Sequence, residues 1–156
     1  MRRPHRGAGG GLIVATLHLL QGPAGAGKSQ EAQRQLQGGL FDVVADVTAI
    51  WAGLRLFERG ADGLFPTRAS EDVALSLARY LQVVLVREAL RQNLRVVATT
   101  SRRGQEPRWE RLAVETGAAF RVETLDPGRA VVEKRLQGPD GQLSDDCRRA
   151  LERWYG

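Results

Sequence analysis

The sequence carries a single cysteine, Cys147. No internal disulfide can form, which excludes a disulfide-stapled scaffold and points to a reducing compartment. Its place in a helical stretch favours an inert thiol over a nucleophile. Histidine is nearly as scarce, and His5 and His18 lack the partner spacing of a metal site. Lysine is conspicuous by its rarity in so basic a chain: among 23 lysines and arginines, only Lys28 and Lys134 are lysines. No apolar run approaches the roughly 20 residues needed to cross a bilayer. The run over residues 12–20 follows basic residues, as a signal-peptide core would. It leads straight into a glycine-rich turn that cleavage would destroy, so it is read as a strand and the protein as cytoplasmic, without a membrane partner.

What is present fits one folded unit. The 156 residues, 42% hydrophobic and 26% charged, suffice for one domain with a full core. A formal net charge of +5 favours polyanionic partners. Part of that charge, Arg2, Arg3 and Arg6, lies in a glycine-rich stretch expected to be a flexible tail over residues 1–11, leaving 12–156 as the domain.

The distinctive stretch is Gly22-Pro23-Ala24-Gly25-Ala26-Gly27-Lys28-Ser29, the pattern G-x-x-x-x-G-K-S. An apolar run precedes it and good helix formers follow, which is the strand, turn and helix context that the pattern requires. Gly22, Gly25 and Gly27 permit positive φ and close backbone approach. Successive N–H groups then face inward as an anion nest at a helix N-terminus. Lys28 supplies a mobile charge for the β- and γ-phosphates, and the Ser29 hydroxyl can ligate Mg²⁺. A glycine-rich turn that merely happens to precede a helix is the competing reading, and the agreement of both flanks weighs against it. Residues 22–30, ending at Gln30, are therefore the candidate binding stretch for ATP or GTP with Mg²⁺.

Further along, residues 41–46 read as a short strand ending in Asp46, and 47–59 as a helix with Ile50, Leu54 and Phe57 at helical spacing. Residues 60–66 read as a loop. A long helix from the Ser70 cap to about Gln92 carries Val73, Leu77, Leu81, Val84 and Leu85 on one side. Residues 94–99 form a strand, 106–116 a helix stopped by Gly117, and 119–125 a strand nearer an edge. Asp126-Pro127-Gly128 turns into a helix over 129–136, and Ser144 caps a last helix ending near Tyr155. The alternation predicts a P-loop NTPase fold: three layers, α/β/α, around a mostly parallel sheet of four to five strands. Ligands of such sheets sit at the carboxyl ends of the strands, which gathers 22–29, Asp46, 99–103 and Asp126 on one rim.

Asp46 is the candidate catalytic carboxylate, able to accept or orient the proton of an attacking hydroxyl. It can equally help Ser29 hold Mg²⁺, or cap the helix that starts at Val47. The strand ending in Thr99-Thr100 offers hydroxyls where a further acid is expected, which argues against a fast motor ATPase. Arg129 and Arg135, with Lys134, fall on a helix suited to a lid over 129–143 that neutralises a transferring phosphoryl group. Arg102, Arg103 and Arg108 lie where a polyanionic substrate can contact them. Trp109 can stack on a base, although a packed helix residue is the better reading.

The phosphate loop, Asp46 and the segment from Leu125-Asp126-Pro127 to Lys134-Arg135 together resemble the AAA-type, zeta-toxin-like small P-loop kinases that include bacteriophage polynucleotide 5′-hydroxyl kinase. The resemblance covers the chain from about Thr16 to Gly138. It implies that Asp46 activates the acceptor hydroxyl, that Lys134-Arg135 belongs to a lid, and that ATP donates its γ-phosphate, with a nucleic-acid 5′ end the favoured acceptor. Ala49 and Thr99-Thr100-Ser101 depart from the phage kinase, which has arginine and Asp-Thr-Asn there. A further lid arginine has no counterpart near Gln137. A small-metabolite kinase and an ATP-dependent assembly factor are the other readings.

Overall fold

The computed structural model describes residues 14–54, 67 and 69–156. The expected tail over 1–11, the loop over 60–66 and the helix 47–59 beyond residue 54 lie outside the described residues. Four strands, β1 (Thr16–Gln21), β2 (Val43–Ala45), β3 (Arg95–Thr100) and β4 (Ala119–Thr124), form one parallel sheet in the order β2-β3-β1-β4. β1 is interior, and its Leu17, Leu19 and Leu20 are fully buried. Apolar residues on both faces are what a strand covered from two sides requires. β4 lies at the edge, as its alternating pattern suggests.

Helices cover both faces. α1 (Lys28–Gln37) follows the glycine loop and places Ala32 against Leu20 and Val97. On the other face, α3 (Glu71–Arg91) and α4 (Glu106–Thr116) bring Val86, Leu90, Trp109 and Leu112 against Leu17, Leu19 and Val96. This is the three-layer α/β/α arrangement of P-loop NTPases, with four strands among the described residues. α2 (Val47–Gly53) leaves the tip of β2, and α5 (Arg129–Leu136) and α6 (Asp145–Tyr155) close the chain.

The buried face of α3 differs from the one its leucines and valines suggest. Ala74, Ala78, Gln82, Val86, Ala89 and Leu90 point inward, whereas Val73 is 56% exposed and Leu77, Val84 and Leu85 are also exposed. Alanines let the helix lie close against the strands, so side-chain size set the face more than hydrophobicity did. Ser70 does cap this helix, its Oγ accepting from the Val73 N–H at 3.4 Å.

Two polar devices fix the strand ends. At the entry, the Asp42 carboxylate accepts from the backbone N–H of Arg95 at 2.9 Å and from its guanidinium at 2.9 and 3.1 Å. At the exit, buried Gln82 donates through Nε2 to the carbonyls of Ala45 and Thr99, both at 2.8 Å. Buried carbonyls need such partners, and this bridge holds the last residues of β2 and β3 side by side.

Candidate active site

The loop between β1 and α1 has the geometry the sequence calls for. Gly25 and Gly27 take φ of 80° and 92°, values that strain any residue with a Cβ. Gly22 is needed for a different reason, since a Cβ there would stand 2.1 Å from the carbonyl oxygen of Leu125. That oxygen belongs to backbone and cannot swing aside. Gly22→Ala is expected to destabilise the fold by about 3 kcal/mol, at the upper end of overpacking costs. An unchanged urea midpoint would show that the contact relaxes freely.

Lys28 is buried, and its Nζ donates to the carbonyls of Gly22 and Pro23, both at 2.8 Å. Burial lowers its ammonium from 10.5 to about 8, against a smaller upward pull from the Asp46 carboxylate. Next to it, the Ser29 Oγ donates to Asp46 Oδ2 at 2.7 Å, and the Thr99 Oγ1 donates to Asp46 Oδ1 at 2.6 Å. Asp46 occupies the N-cap position of α2 but makes no side-chain cap bond, so its carboxylate serves the loop and not the helix.

Ser29 Oγ and Asp46 Oδ2 are the hard oxygen donors that Mg²⁺ takes, its remaining positions going to phosphate and water. No group of three or more His, Cys, Asp or Glu side chains capable of holding a metal occurs among the described residues. The donor set thus fits an ion shared with a phosphate.

These residues open into a cavity of about 730 Å³ lined by the loop, Asp46, the Thr99–Arg102 segment and parts of α3, α4, α5 and α6. Arg135 reaches it from α5, its Nη1 donating to the carbonyls of Gly25 at 3.2 Å and Ala26 at 3.4 Å. Arg129 does not. It pairs with Glu133 at 3.8 Å, lies over the Tyr155 ring and lines a second cavity with Gln137, Arg148 and Glu152. Six residues of helix leave the two arginines about 120° apart around the axis of α5, and they face different cavities.

Asp126 is also drawn away from the rim. Its carboxylate accepts from the Tyr155 hydroxyl at 2.6 Å and the Trp154 indole N–H at 3.2 Å. Arg103 joins the same junction, donating to the Trp154 carbonyl at 2.6 Å and stacking over its ring at 4.4 Å. Of the basic residues after β3, Arg102 and Arg108 line the cavity and Arg103 docks α6. Trp109 is buried in the core. His18 pairs with Glu123 at 2.8 Å and packs on Phe41, outside the cavity lining.

A family profile described as AAA domain matches residues 17–153. The chain belongs to the AAA domain family. No curated protein sequence matches this AAA domain. Among solved structures, it is similar to a candidate kinase from Chloroflexus aurantiacus J-10-fl at a TM-score of 0.62 and 14% identity, covering 84% of this chain and 74% of that one. It is also similar to a gluconokinase from Sinorhizobium meliloti 1021 at a TM-score of 0.53 and 16% identity, covering 91% and 75%. A third likeness, at a TM-score of 0.55 and 17% identity, is to the AvrRxo1-ORF1:-ORF2 complex, covering 82% of this chain and 42% of that one. These likenesses place the AAA domain in an α/β P-loop fold. Two basic cavity residues escaped the sequence reading as site candidates: Arg79 on α3 and Arg153 on α6. The turn-to-turn spacing of Arg79 from the inward-facing Gln82 is the signal that places the first.

Proposed function

We propose that this protein transfers the γ-phosphate of ATP to a hydroxyl-bearing acceptor, with the loop over residues 22–30 holding the nucleotide and Asp46 serving the acceptor. The carrying observation is the contact of Ser29, Asp46 and Thr99 in one cavity, which joins the phosphate loop to the only carboxylate among its described lining residues. The acceptor oxygen attacks the γ-phosphorus, the bond to the bridging oxygen of ADP breaks, and the acceptor proton passes to the Asp46 carboxylate. Lys28 and Arg135 neutralise the charge on the phosphate chain. Bound Mg²⁺, held by Ser29 and Asp46, would add charge neutralisation of its own. The bond from Arg135 on α5 to the Gly25 carbonyl supports a lid role for residues 129–143.

The net basic charge supports a polynucleotide 5′-hydroxyl as acceptor, and the cavity volume, within the usual range for small-molecule sites, supports a small metabolite. Incubation with terminally labelled ATP, an oligonucleotide with a free 5′-hydroxyl and a panel of sugars and alcohols separates them. Label in an organic product supports the proposal and names the class. Label only in inorganic phosphate contradicts it and supports a nucleotide-driven switch.

Nucleotide affinity also carries a pH signature. The bound anion favours the charged form of Lys28, whose ammonium is held at about 8. Below that value the charge is in place; above it, binding must take up a proton. Affinity is expected to be flat from pH 6.5 to 7.5 and to fall by up to about tenfold per pH unit above 8. A fluorescent ATP analogue followed by anisotropy reads this directly, and a flat profile to pH 9.5 would remove Lys28 from the phosphate contact.

A further inference from the structure

The charge lining the cavity is lopsided. Lys28, Arg79, Arg102, Arg108, Arg135 and Arg153 stand against Asp46 alone. Lys28 and Arg135 belong to the loop end, where each touches loop carbonyls. The rest converge from α3, the segment after β3, α4 and α6. Among the described residues, no carboxylate lies within ion-pair distance of Arg79, Arg102, Arg108 or Arg153.

The placement of these groups is built. Arg79 lies one turn before Gln82, whose amide is bonded to the ends of β2 and β3 beside Asp46. Arg153 directly precedes Trp154, which is buried and pinned by Asp126 and Arg103. Arg103 thereby docks α6, and Arg102 is left to face the cavity. The guanidinium of Arg79 is held below the usual arginine range, first by burial and then by repulsion from Arg102 and Arg153. Uncompensated cations gathered this way are stabilised by an anion placed among them.

Resting on the phosphotransferase reading, we propose that Arg79, Arg102 and Arg153 form a second anion subsite, which binds a phosphomonoester group carried by a small-molecule acceptor and so presents its hydroxyl to Asp46. A dianionic monoester answers three converging guanidiniums better than the single charge of each phosphodiester along a polynucleotide. The nucleotide phosphates occupy the loop end, so the two anions do not compete for one set of cations.

The test is a calorimetric titration of the full chain with inorganic phosphate while a non-hydrolysable Mg²⁺–ATP analogue saturates the loop, repeated with ribose 5-phosphate, ribose and a 5′-hydroxyl oligonucleotide. The expected result is that phosphate and ribose 5-phosphate bind the loaded protein and ribose does not. Arg79→Gln and Arg153→Gln, singly, should weaken phosphate at least tenfold while changing analogue affinity less than threefold. Arg79→Lys should recover part of the loss. If Arg79→Gln fails a thermal-melt check, Arg153→Gln at its exposed position and Arg79→Lys decide the matter. Phosphate affinity indifferent to Arg153→Gln, or an oligonucleotide that binds while phosphate and ribose 5-phosphate do not, would overturn the subsite. Failure of the analogue to bind the unmodified protein would instead sink the nucleotide reading of the loop. Phosphate is then titrated without analogue, and its dependence on Arg79 and Arg153 still decides the second site.

Discussion

Asp46→Asn is expected to slow phosphoryl transfer about 10³-fold, some 4 kcal/mol of barrier, while leaving nucleotide affinity within a few-fold of the parent. The amide is nearly isosteric with the carboxylate, and its oxygen can still accept from Ser29 or Thr99. The hydroxyl on the other side can reverse and accept from the new amide N–H. The local network therefore survives, and what disappears is the negative charge that takes the acceptor proton. Single-turnover transfer of label from ATP, with nucleotide binding measured on the same preparation, distinguishes the outcomes. Unchanged transfer would remove Asp46 from the chemistry, and equal loss of binding would make it a support for the loop.

Lys28→Ala is expected to weaken nucleotide binding by ~10²-fold, equivalent to about 3 kcal/mol, and to shift folding stability by no more than about 1 kcal/mol. The two effects separate because the ammonium is unfavourably placed in the free protein. Holding it at about 8 against 10.5 in solution corresponds to roughly 3 kcal/mol of disfavoured charge at neutral pH. Two hydrogen bonds to the Gly22 and Pro23 carbonyls and the packed methylene stem offset that cost. The sign of the remaining pH effect follows. Between pH 8 and 10.5 the unfolded chain binds more protons at this lysine than the folded one, so its contribution to stability rises with pH. The alanine variant should lose that rise. Equilibrium dialysis for the nucleotide and urea unfolding at pH 7 and 9.5 check both halves. A variant that binds ATP normally, or unfolds on purification, would contradict the assignment.

The sequence was most informative where local chemistry leaves little choice. Gly25, Gly27, Lys28 and Ser29 announce the loop because few other residues can adopt that backbone or carry those contacts. Asp46 was legible as an acid at the end of a predicted strand, though its choice between helix cap and loop partner needed the bonds from Ser29 and Thr99. Strand and helix order followed from periodicity. The face of α3 did not, because alanines and Gln82 turn inward while Val73 and Leu77 stay outside. That inversion hid Arg79. Arg153 was hidden differently, since α6 is docked by long-range contacts of Asp126 and Arg103 with Trp154 and of Asp126 with Tyr155, which no local pattern encodes. Arg129 and Arg135 share one helix, as the sequence suggests, but line different cavities, which local periodicity does not reveal.

The nucleotide reading rests on the backbone bend between Gly22 and Ser29, and its most direct test is calorimetric titration of the purified chain with a non-hydrolysable ATP or GTP analogue in the presence of Mg²⁺. Saturation at one equivalent, abolished by excess pyrophosphate, is the predicted result. No heat with either nucleotide, from protein that melts cooperatively, would contradict it.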